Sequence, residues 1–299
     1  MRILIVGGTG FIGPYVAKEL HGRGHDVTLF HRGQHESVLL TGIRHFRSAE
    51  AAIPVLNFPL DLVRAEFEVV IHMILMGEAD ARAVVHAFAG RTERIVALSS
   101  GDVYRAYGRF TGLEPGPVEE GLLTEDSPLR NTFYPYRAQA KSPDELNYFY
   151  EKILVERHVL EQAQLPGTVL RLPKVYGPGG NANLATIYGY RDRLGWRWTH
   201  GYVENVAAAI ALAALHPAAA NRVYNVGEAY TPTIAERLQT LPSSTFPRIA
   251  AEDNDFRNDI AYDSTRIREE LSYAEPVSYE EGLRRTLQVG RTTQSRLLR

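Results

Sequence analysis

The chain begins Arg2-Ile-Leu-Ile-Val-Gly7-Gly-Thr-Gly10-Phe-Ile-Gly13, an apolar run that leads straight into a glycine-rich turn. The apolar run fits a fully buried strand. Between a strand and a helix, Gly7 permits a tight bend, Gly10 close approach to a pyrophosphate, and Gly13 close packing of the helix on the strand. The N–H groups at the start of that helix favour bound phosphate. The stretch therefore predicts a dinucleotide site, with a purely structural turn as the alternative.

Apolar runs recur along the chain and alternate with helix-like segments. This alternation predicts an α/β fold: a Rossmann-type doubly wound parallel sheet with a small C-terminal substrate lobe. The expected later strands lie near residues 26–30, 69–71, 94–98, 168–172 and 223–226. We expect a dinucleotide-binding domain over residues 1–176. A small substrate lobe should span residues 177–299 and be interleaved with the last sheet strands at about 223–226. The stretch 108–131 is rich in glycine and proline, and we expect it to cover a site or to be mobile.

Composition narrows the function classes. The chain has 299 residues, a net charge of −2 and no cysteine. Disulfides, cysteine-based metal sites and thiol nucleophiles are therefore excluded. The ten histidines show no helical metal-ligand pairing, so we expect no metal site. The near-neutral charge disfavours nucleic acid and membranes as partners. The first strand begins at Arg2 and no apolar run reaches transmembrane length, so a soluble cytoplasmic protein is the default expectation.

A predicted helix carries the candidate chemistry. The sequence Ser142-Pro-Asp-Glu145 has the pattern of a capping box and predicts a helix from Pro143 onward. That helix would place Tyr148 and Lys152 on one face. An ammonium one turn away lowers the pKa of a phenol from about 10. Tyr148 could then exchange a proton with a substrate oxygen while a hydride moves to or from a nicotinamide. Such a pair taken alone is common on any helix.

Ser100 follows a predicted strand, at the sheet edge where open parallel sheets bind ligands, and could hydrogen-bond the same substrate oxygen. With these motifs, the chain resembles the extended short-chain dehydrogenase/reductase superfamily, in its NAD(P)-dependent epimerase/dehydratase branch. The resembling segments are residues 7–13, 98–104, 148–152, 171–178, 199–207 and 224–227. The resemblance implies hydride transfer at a carbinol or carbonyl of a sugar-like or small substrate. It also implies that Tyr148, Lys152 and Ser100 are the catalytic residues.

The expected cofactor contacts combine the glycine turn with residues at later strand ends: Gly7, Thr9, Gly10, Phe11, Ile12, Gly13, His31, Arg32, Met73, Leu98, Tyr148, Lys152, Pro173 and Val175. The expected substrate contacts are Asp102, Tyr104, Arg191 and His200. A capping role for Asp102, and packing roles for Tyr104 and Arg191, are the alternatives. The family's habit of pairing through the helix with the Tyr-Lys motif makes a homodimer reasonable.

The chain departs from the family pattern in ways that bear on cofactor and substrate. The second strand ends Phe30-His-Arg-Gly33 without the acid that would bind a ribose 2′-hydroxyl. Arg32 could instead meet a 2′-phosphate, which favours NADP(H) over NAD(H). Bulky residues at 72–75 stand where small ones are usual. Gly101 after Ser100 disfavours dehydration and leaves an epimerase or a reductase. The short region 178–202 suggests a substrate smaller than a full nucleotide-sugar, or a loosely bound one.

A non-catalytic function is the rival hypothesis. Some members of the superfamily keep the dinucleotide fold but act as regulators or RNA-associated proteins, and the Phe-x-Arg-Gly pattern at the second strand is similar to theirs. The lack of a dense basic stripe counts against RNA. Loss of turnover on replacing the catalytic tyrosine would separate the enzyme from the binder.

Overall fold

A computed structural model describes residues 1–35, 37–182 and 184–297. Its centre is a seven-stranded parallel sheet of order β3-β2-β1-β4-β5-β6-β9, and β7 and β8 form a separate parallel pair. The strands are β1 (Arg2–Val6), β2 (Asp26–His31), β3 (Arg44–Arg47), β4 (Val69–His72), β5 (Arg94–Ser100), β6 (Gly167–Leu172), β7 (Lys174–Tyr176), β8 (His200–Tyr202) and β9 (Arg222–Asn225). The predicted doubly wound sheet is confirmed.

Helices cover both faces of the sheet. They are α1 (Gly13–Gly22), α2 (Leu60–Val63), α3 (Glu78–Phe88), α4 (Arg105–Phe110), α5 (Leu146–Phe149), α6 (Lys152–Glu161), α7 (Ala185–Gly189), α8 (Val203–Leu215), α9 (Ile234–Gln239), α10 (Thr265–Leu271) and α11 (Tyr279–Leu297). Strand β1 shows how the two cores arise. Ile3 and Ile5 pack in a core with α1 and α8, whereas Leu4 and Val6 pack in a core with α3 and α6. Alternate side chains thus bury opposite faces, as a fully covered parallel strand requires.

The topology fixes where a ligand can bind. Strand β1 pairs in parallel with β2 on one side and with β4 on the other. The strand order reverses between β1 and β4, which leaves a crevice at the carboxyl ends of these strands. Helix α1 begins at Gly13 directly above that crevice. A side chain at Gly13 would bring Cβ within 2.5 Å of the Gly8 backbone, so only glycine allows this approach.

The stretch 108–131 is anchored to the rest of the fold. Leu123 is buried and bridges to Tyr262, and the Arg130 guanidinium is completely buried. Phe110, at its start, stacks on Trp196 with ring centroids 4.9 Å apart. The stretch therefore packs as part of the C-terminal half of the molecule. None of the helices described here is long and apolar enough to cross a membrane.

The prediction of one continuous helix from Pro143 is wrong. Helix α5 ends at Phe149, Tyr150 and Glu151 are extended, and α6 starts at Lys152. The pattern at Ser142 forms only a turn, in which Glu145 N–H donates to the Ser142 carbonyl. As a result Tyr148 and Lys152 do not share a helical face.

Glu151 is the physical reason for the break. Its carboxylate is fully buried, accepts a hydrogen bond from Ile153 N–H at 2.9 Å as the N-cap of α6, and pairs with Arg130 at 3.1 Å. It also accepts a bond from the backbone N–H of Tyr134, and its own N–H donates to the Met76 carbonyl at 2.7 Å. A carboxylate inside a helix could not satisfy all these groups at once. Tertiary contacts therefore override the local capping signal.

We predict that Glu151→Gln lowers the free energy of unfolding by about 3–5 kcal/mol, because it leaves the buried Arg130 charge without its partner. Denaturant unfolding measures this loss. The matched control is Glu19→Gln, which removes a surface pair with Arg23 and should cost less than about 1 kcal/mol. Equal stability of the two variants would contradict the structural role of Glu151.

Candidate active site

A cavity of about 390 Å³ lies at the carboxyl ends of β1, β4 and β5. Its lining joins the glycine turn to the residues that follow the later strands: Gly7, Gly10, Phe11, Ile12, Gly13, Met73, Ile74, Met76, Leu98, Ser99, Ser100, Tyr150, Lys152, Leu172, Pro173 and Val175. Most of the predicted cofactor contacts therefore meet in one place. The exceptions are Thr9, His31, Arg32 and Tyr148, which do not line this cavity.

The glycine turn suits a dinucleotide diphosphate. At Gly10 an added Cβ would meet nothing within 4 Å, so the backbone there is open to a ligand. Phe11 is held from the other side by Gly180, whose Cβ position lies 2.4 Å from the ring. The first turn of α1, with Pro14 in it, presents the positive end of the helix dipole to the cavity. The residues present thus fit the phosphate-bearing part of a nicotinamide dinucleotide.

The bulky segment after β4 narrows this site without filling it. The Ile74 side chain lies over Gly7, with atoms 2.7 Å from the position that a Cβ would take, and Gly7 itself has a φ of +81°. Met73 and Met76 line the cavity beside Ile74. An apolar wall therefore faces the space between the glycine turn and Ser100.

Next to the cavity, the end of β2 forms a cationic corner. His31 is buried, and its Nδ1 accepts a hydrogen bond from Gly33 N–H at 3.0 Å. Its other ring nitrogen, Nε2, lies 2.8 Å from Nδ1 of His45. His31 is thus occupied by protein partners rather than free for a ligand. Burial, with the nearby charges of His45 and Arg47, lowers its pKa. Arg32 is exposed at this corner, and Thr9 is part of the glycine turn.

Lys152 lies inside the cavity wall. Its Nζ donates to the carbonyl of Leu75, just after β4, and to the carbonyl of Leu98, in β5. Burial lowers the pKa of Lys152, while the negative charges of Asp102, Asp80 and Glu156 act in the opposite direction. The ammonium thus joins two neighbouring strand ends beneath the site.

Tyr150, rather than Tyr148, occupies the cavity. The Tyr148 ring is 37% exposed, lies against the Arg137 guanidinium at 4.7 Å, and is directed away from Lys152 by the break after α5. Tyr150 lines the cavity together with Ser100 and Lys152. Burial, reinforced by the Asp102 charge, raises the pKa of Tyr150 well above its ordinary value. The four-residue spacing to Lys152 selects Tyr148 in the sequence, but the structure places Tyr150 in the cavity.

A second, smaller cavity of about 100 Å³ adjoins the first and shares Ser100, Leu172 and Pro173 with it. Its other lining residues are Gly101, Asp102, Tyr107, Tyr136, Lys174, Trp198 and Tyr262. Asp102, a predicted substrate contact, therefore does face a cavity. Lys174, Tyr107 and Tyr136 were not predicted as site residues. Tyr107 and Tyr136 lie outside every motif, and in the segment 171–178 only Pro173 and Val175 were expected to contact a ligand.

The other predicted substrate contacts, Tyr104, Arg191 and His200, lie outside both cavities. The Tyr104 hydroxyl is fully buried and donates to Asn225 at 2.6 Å, and burial raises its pKa to about 12. Arg191 donates to the carbonyls of Tyr188 and Phe246. His200 is completely buried, with Nδ1 2.7 Å from the Trp198 carbonyl. Each of these three side chains is bonded to or enclosed by the protein and lines neither cavity, and their role as substrate contacts stays a prediction. Within the described residues, no group of three metal-ligating side chains comes together.

Comparison with known proteins identifies the family. The family model of the NAD dependent epimerase/dehydratase family matches residues 3–227. The chain belongs to this family. The resemblance seen in the motifs is thereby confirmed, and with it an epimerase/dehydratase-type enzyme that uses a nicotinamide dinucleotide. A comparison with curated protein sequences finds no match.

Solved structures share the fold at low sequence identity. Pal from Bacillus thuringiensis superposes with a TM-score of 0.72 at 17% identity, over 98% of this chain and 100% of that one. The UDP-glucose 4-epimerase of Thermotoga maritima, solved with UDP-glucose, gives 0.65 at 20% identity over 98% and 100%. The UDP-glucuronic acid 4-epimerase of Bacillus cereus, solved with UDP-glucuronic acid and NAD, gives 0.69 at 15% identity over 98% and 100%.

We predict that Gly10→Val abolishes cofactor binding but leaves the fold intact, because the added side chain enters only the open space expected for the diphosphate. NADH and NADPH fluorescence titrations measure the first effect, and thermal unfolding measures the second. Gly13→Val is the matched control: its side chain meets the Gly8 backbone, so it should lower the unfolding temperature as well. Undiminished dinucleotide binding by Gly10→Val would contradict the assignment of the turn.

Proposed function

We propose that the protein is an NAD(P)-dependent oxidoreductase or epimerase that moves a hydride at a carbinol or carbonyl carbon of a sugar-like substrate, with Tyr150 as its proton donor and acceptor. The observation that carries the proposal is the meeting of Tyr150, Ser100 and Lys152 in the cavity that begins at the glycine turn. Family membership supports the reaction class. The homodimer and cytoplasmic location stay predictions.

A bound nicotinamide would supply the hydride donor or acceptor. The raised pKa keeps Tyr150 protonated at neutral pH, so its O–H can donate to a substrate carbonyl oxygen. Ser100 Oγ lies in the same wall and can hydrogen-bond that oxygen. The Lys152 Nζ, 5.5 Å from the Tyr150 ring centroid, places positive charge beneath the phenol. This charge stabilises the phenolate left after proton donation, and the reverse transfer restores the phenol.

The substrate proposed here is a sugar nucleotide. UDP-glucose and UDP-glucuronic acid are the ligands of the two epimerases that share this fold. Gly101 follows Ser100 in this chain. A dehydratase of the family carries an acid beside its catalytic hydroxyl, so epimerisation or reduction fits better than elimination of water.

We further propose that the cofactor is NADP(H). Residues 27–35 contain no acid, and Arg32 is exposed at the end of β2. Arg47 pairs in register with His31, and its side chain lies across Gly33, with Cδ 3.5 Å from the position of a Cβ. The guanidinium groups of Arg32 and Arg47 thus flank the turn at Gly33, where members of the family bind the adenosine ribose. A 2′-phosphate is the group that such a pair binds well.

We predict that Tyr150→Phe lowers turnover by about 10²–10⁴-fold, because it removes the proton donor, while cofactor affinity stays within about twofold. Stopped-flow or steady-state oxidation of the reduced cofactor with carbonyl sugars measures turnover. Tyr148→Phe is the matched control and should keep most of the activity, since that ring lies outside the cavity.

The opposite ranking of these two variants would restore Tyr148 to the catalytic role. Full activity in both would remove the proposed acid–base step. Cofactor binding without turnover of any carbonyl or sugar nucleotide would favour the non-catalytic alternative.

We predict that NADPH binds at least about tenfold more tightly than NADH and that Arg32→Ala or Arg47→Ala removes this difference. The 2′-phosphate contact, which only NADPH makes, accounts for the change. Arg23→Ala is the matched control, because Arg23 is a surface arginine on α1 paired with Glu19. Tighter binding of NADH by the unmodified protein would overturn the cofactor assignment and leave the reaction class intact.

A further inference from the structure

The smaller cavity contains opposite charges whose hydrogen bonding is incomplete. Asp102 is 4% exposed, and its Oδ2 accepts a hydrogen bond from the Tyr136 hydroxyl at 3.0 Å. Its Oδ1 is buried and has no hydrogen-bond partner among the residues that the structure describes. A buried carboxylate oxygen of this kind requires a donor. Since Asp102 lines the cavity, a ligand placed there can supply that donor.

Lys174 provides the opposite charge in the same cavity. Its Nζ lies 4.3 Å from the centroid of the Trp198 ring, and burial lowers its pKa while the Asp102 charge raises it. An ammonium is a donor only, so it calls for an acceptor on the ligand. Three tyrosines, Tyr107, Tyr136 and Tyr262, also line this cavity.

From this arrangement we infer that the small cavity is a specificity subsite for a neutral hydroxyl-bearing branch of the substrate, such as a hydroxymethyl group, and that it selects against a carboxylate at that position. The inference rests on the proposed function. A hydroxyl donates to Asp102 Oδ1 and accepts from Lys174 Nζ, so one group satisfies both. A carboxylate on the substrate would be repelled by the negative charge of Asp102, and an ammonium would be repelled by the positive charge of Lys174.

Size and position agree with this assignment. The cavity of about 100 Å³ is much smaller than the neighbouring cavity of about 390 Å³, which suits it to a small branch of the substrate. Ser100 lines both cavities, so a branch in the smaller one belongs to a carbon close to the reacting carbon in the larger one. Asp102 and Lys174 would therefore bind the substituent on a carbon close to the reacting carbon.

The test compares UDP-glucose, which has a hydroxymethyl branch, with UDP-glucuronic acid, which has a carboxylate on the same ring position. Calorimetric titration of the cofactor-saturated protein gives both dissociation constants. We expect UDP-glucose to bind at least tenfold more tightly. Asp102→Asn keeps an acceptor for Tyr136 but removes the negative charge, so it should shift the ratio at least tenfold toward UDP-glucuronic acid.

Lys174→Met supplies an independent variant, because it keeps the apolar stem against Trp198 and removes only the ammonium. It should weaken UDP-glucuronic acid more than UDP-glucose. Lys18→Met and Asp126→Asn, at exposed positions, are the matched controls and should leave the ratio unchanged. NADPH titration of each variant shows whether the cofactor site is intact.

The possible outcomes separate the two proposals. An unmodified protein that prefers UDP-glucuronic acid, or a ratio that neither variant changes, overturns the subsite while cofactor binding and Tyr150-dependent turnover leave the proposed function standing. Binding of neither sugar nucleotide by the cofactor-loaded protein also overturns the subsite. If the unmodified protein bound neither NADPH nor NADH, the proposed function itself would be overturned.

Discussion

The arrangement of this site depends on the buried pair between Glu151 and Arg130. Two fully enclosed charges are stable only when each finds its partner and its remaining hydrogen bonds. Glu151 meets that requirement because its backbone is extended rather than helical, and α6 begins at the next residue, Lys152. The same extended backbone turns Tyr150 toward Ser100 and leaves Tyr148 at the surface. A constraint on one carboxylate thus decides which phenol can reach a substrate.

The parts of the fold that follow from short-range patterns were predictable. The apolar runs at β1, β4 and β5 are long enough to be buried on both faces, and the glycine turn specifies its own geometry through Gly7 and Gly13. Strand order then follows from the few topologies that parallel sheets allow. This is why the sequence could place the glycine turn, Ser100 and Lys152 around one cavity.

Long-range contacts explain what was missed. The capping pattern at Ser142 is a local signal, whereas Arg130 and Met76 reach Glu151 from distant segments and carry more energy. Lys174 and Tyr136 are likewise brought beside Asp102 only by tertiary folding. Tyr104 and His200 lie in segments that resemble the family, but such resemblance does not reveal that their polar atoms are enclosed by the protein. Contact with a cavity, rather than spacing in the sequence, distinguishes Asp102 and Lys152 from these two residues.

Three sets of buried charges in this protein differ in how completely they are satisfied. The Glu156 carboxylate receives bonds from Ser99 and from two nitrogens of Arg171, and Glu151 receives three bonds. Both carboxylates are complete without a ligand and hold α6 in place against its neighbours. Among the buried carboxylates of the residues that the structure describes, only Asp102 keeps an oxygen without a partner, and it lines a cavity that also holds the Lys174 ammonium. Since leaving such a group unpaired costs free energy, the saturated pairs belong to the scaffold and the unsaturated one to recognition.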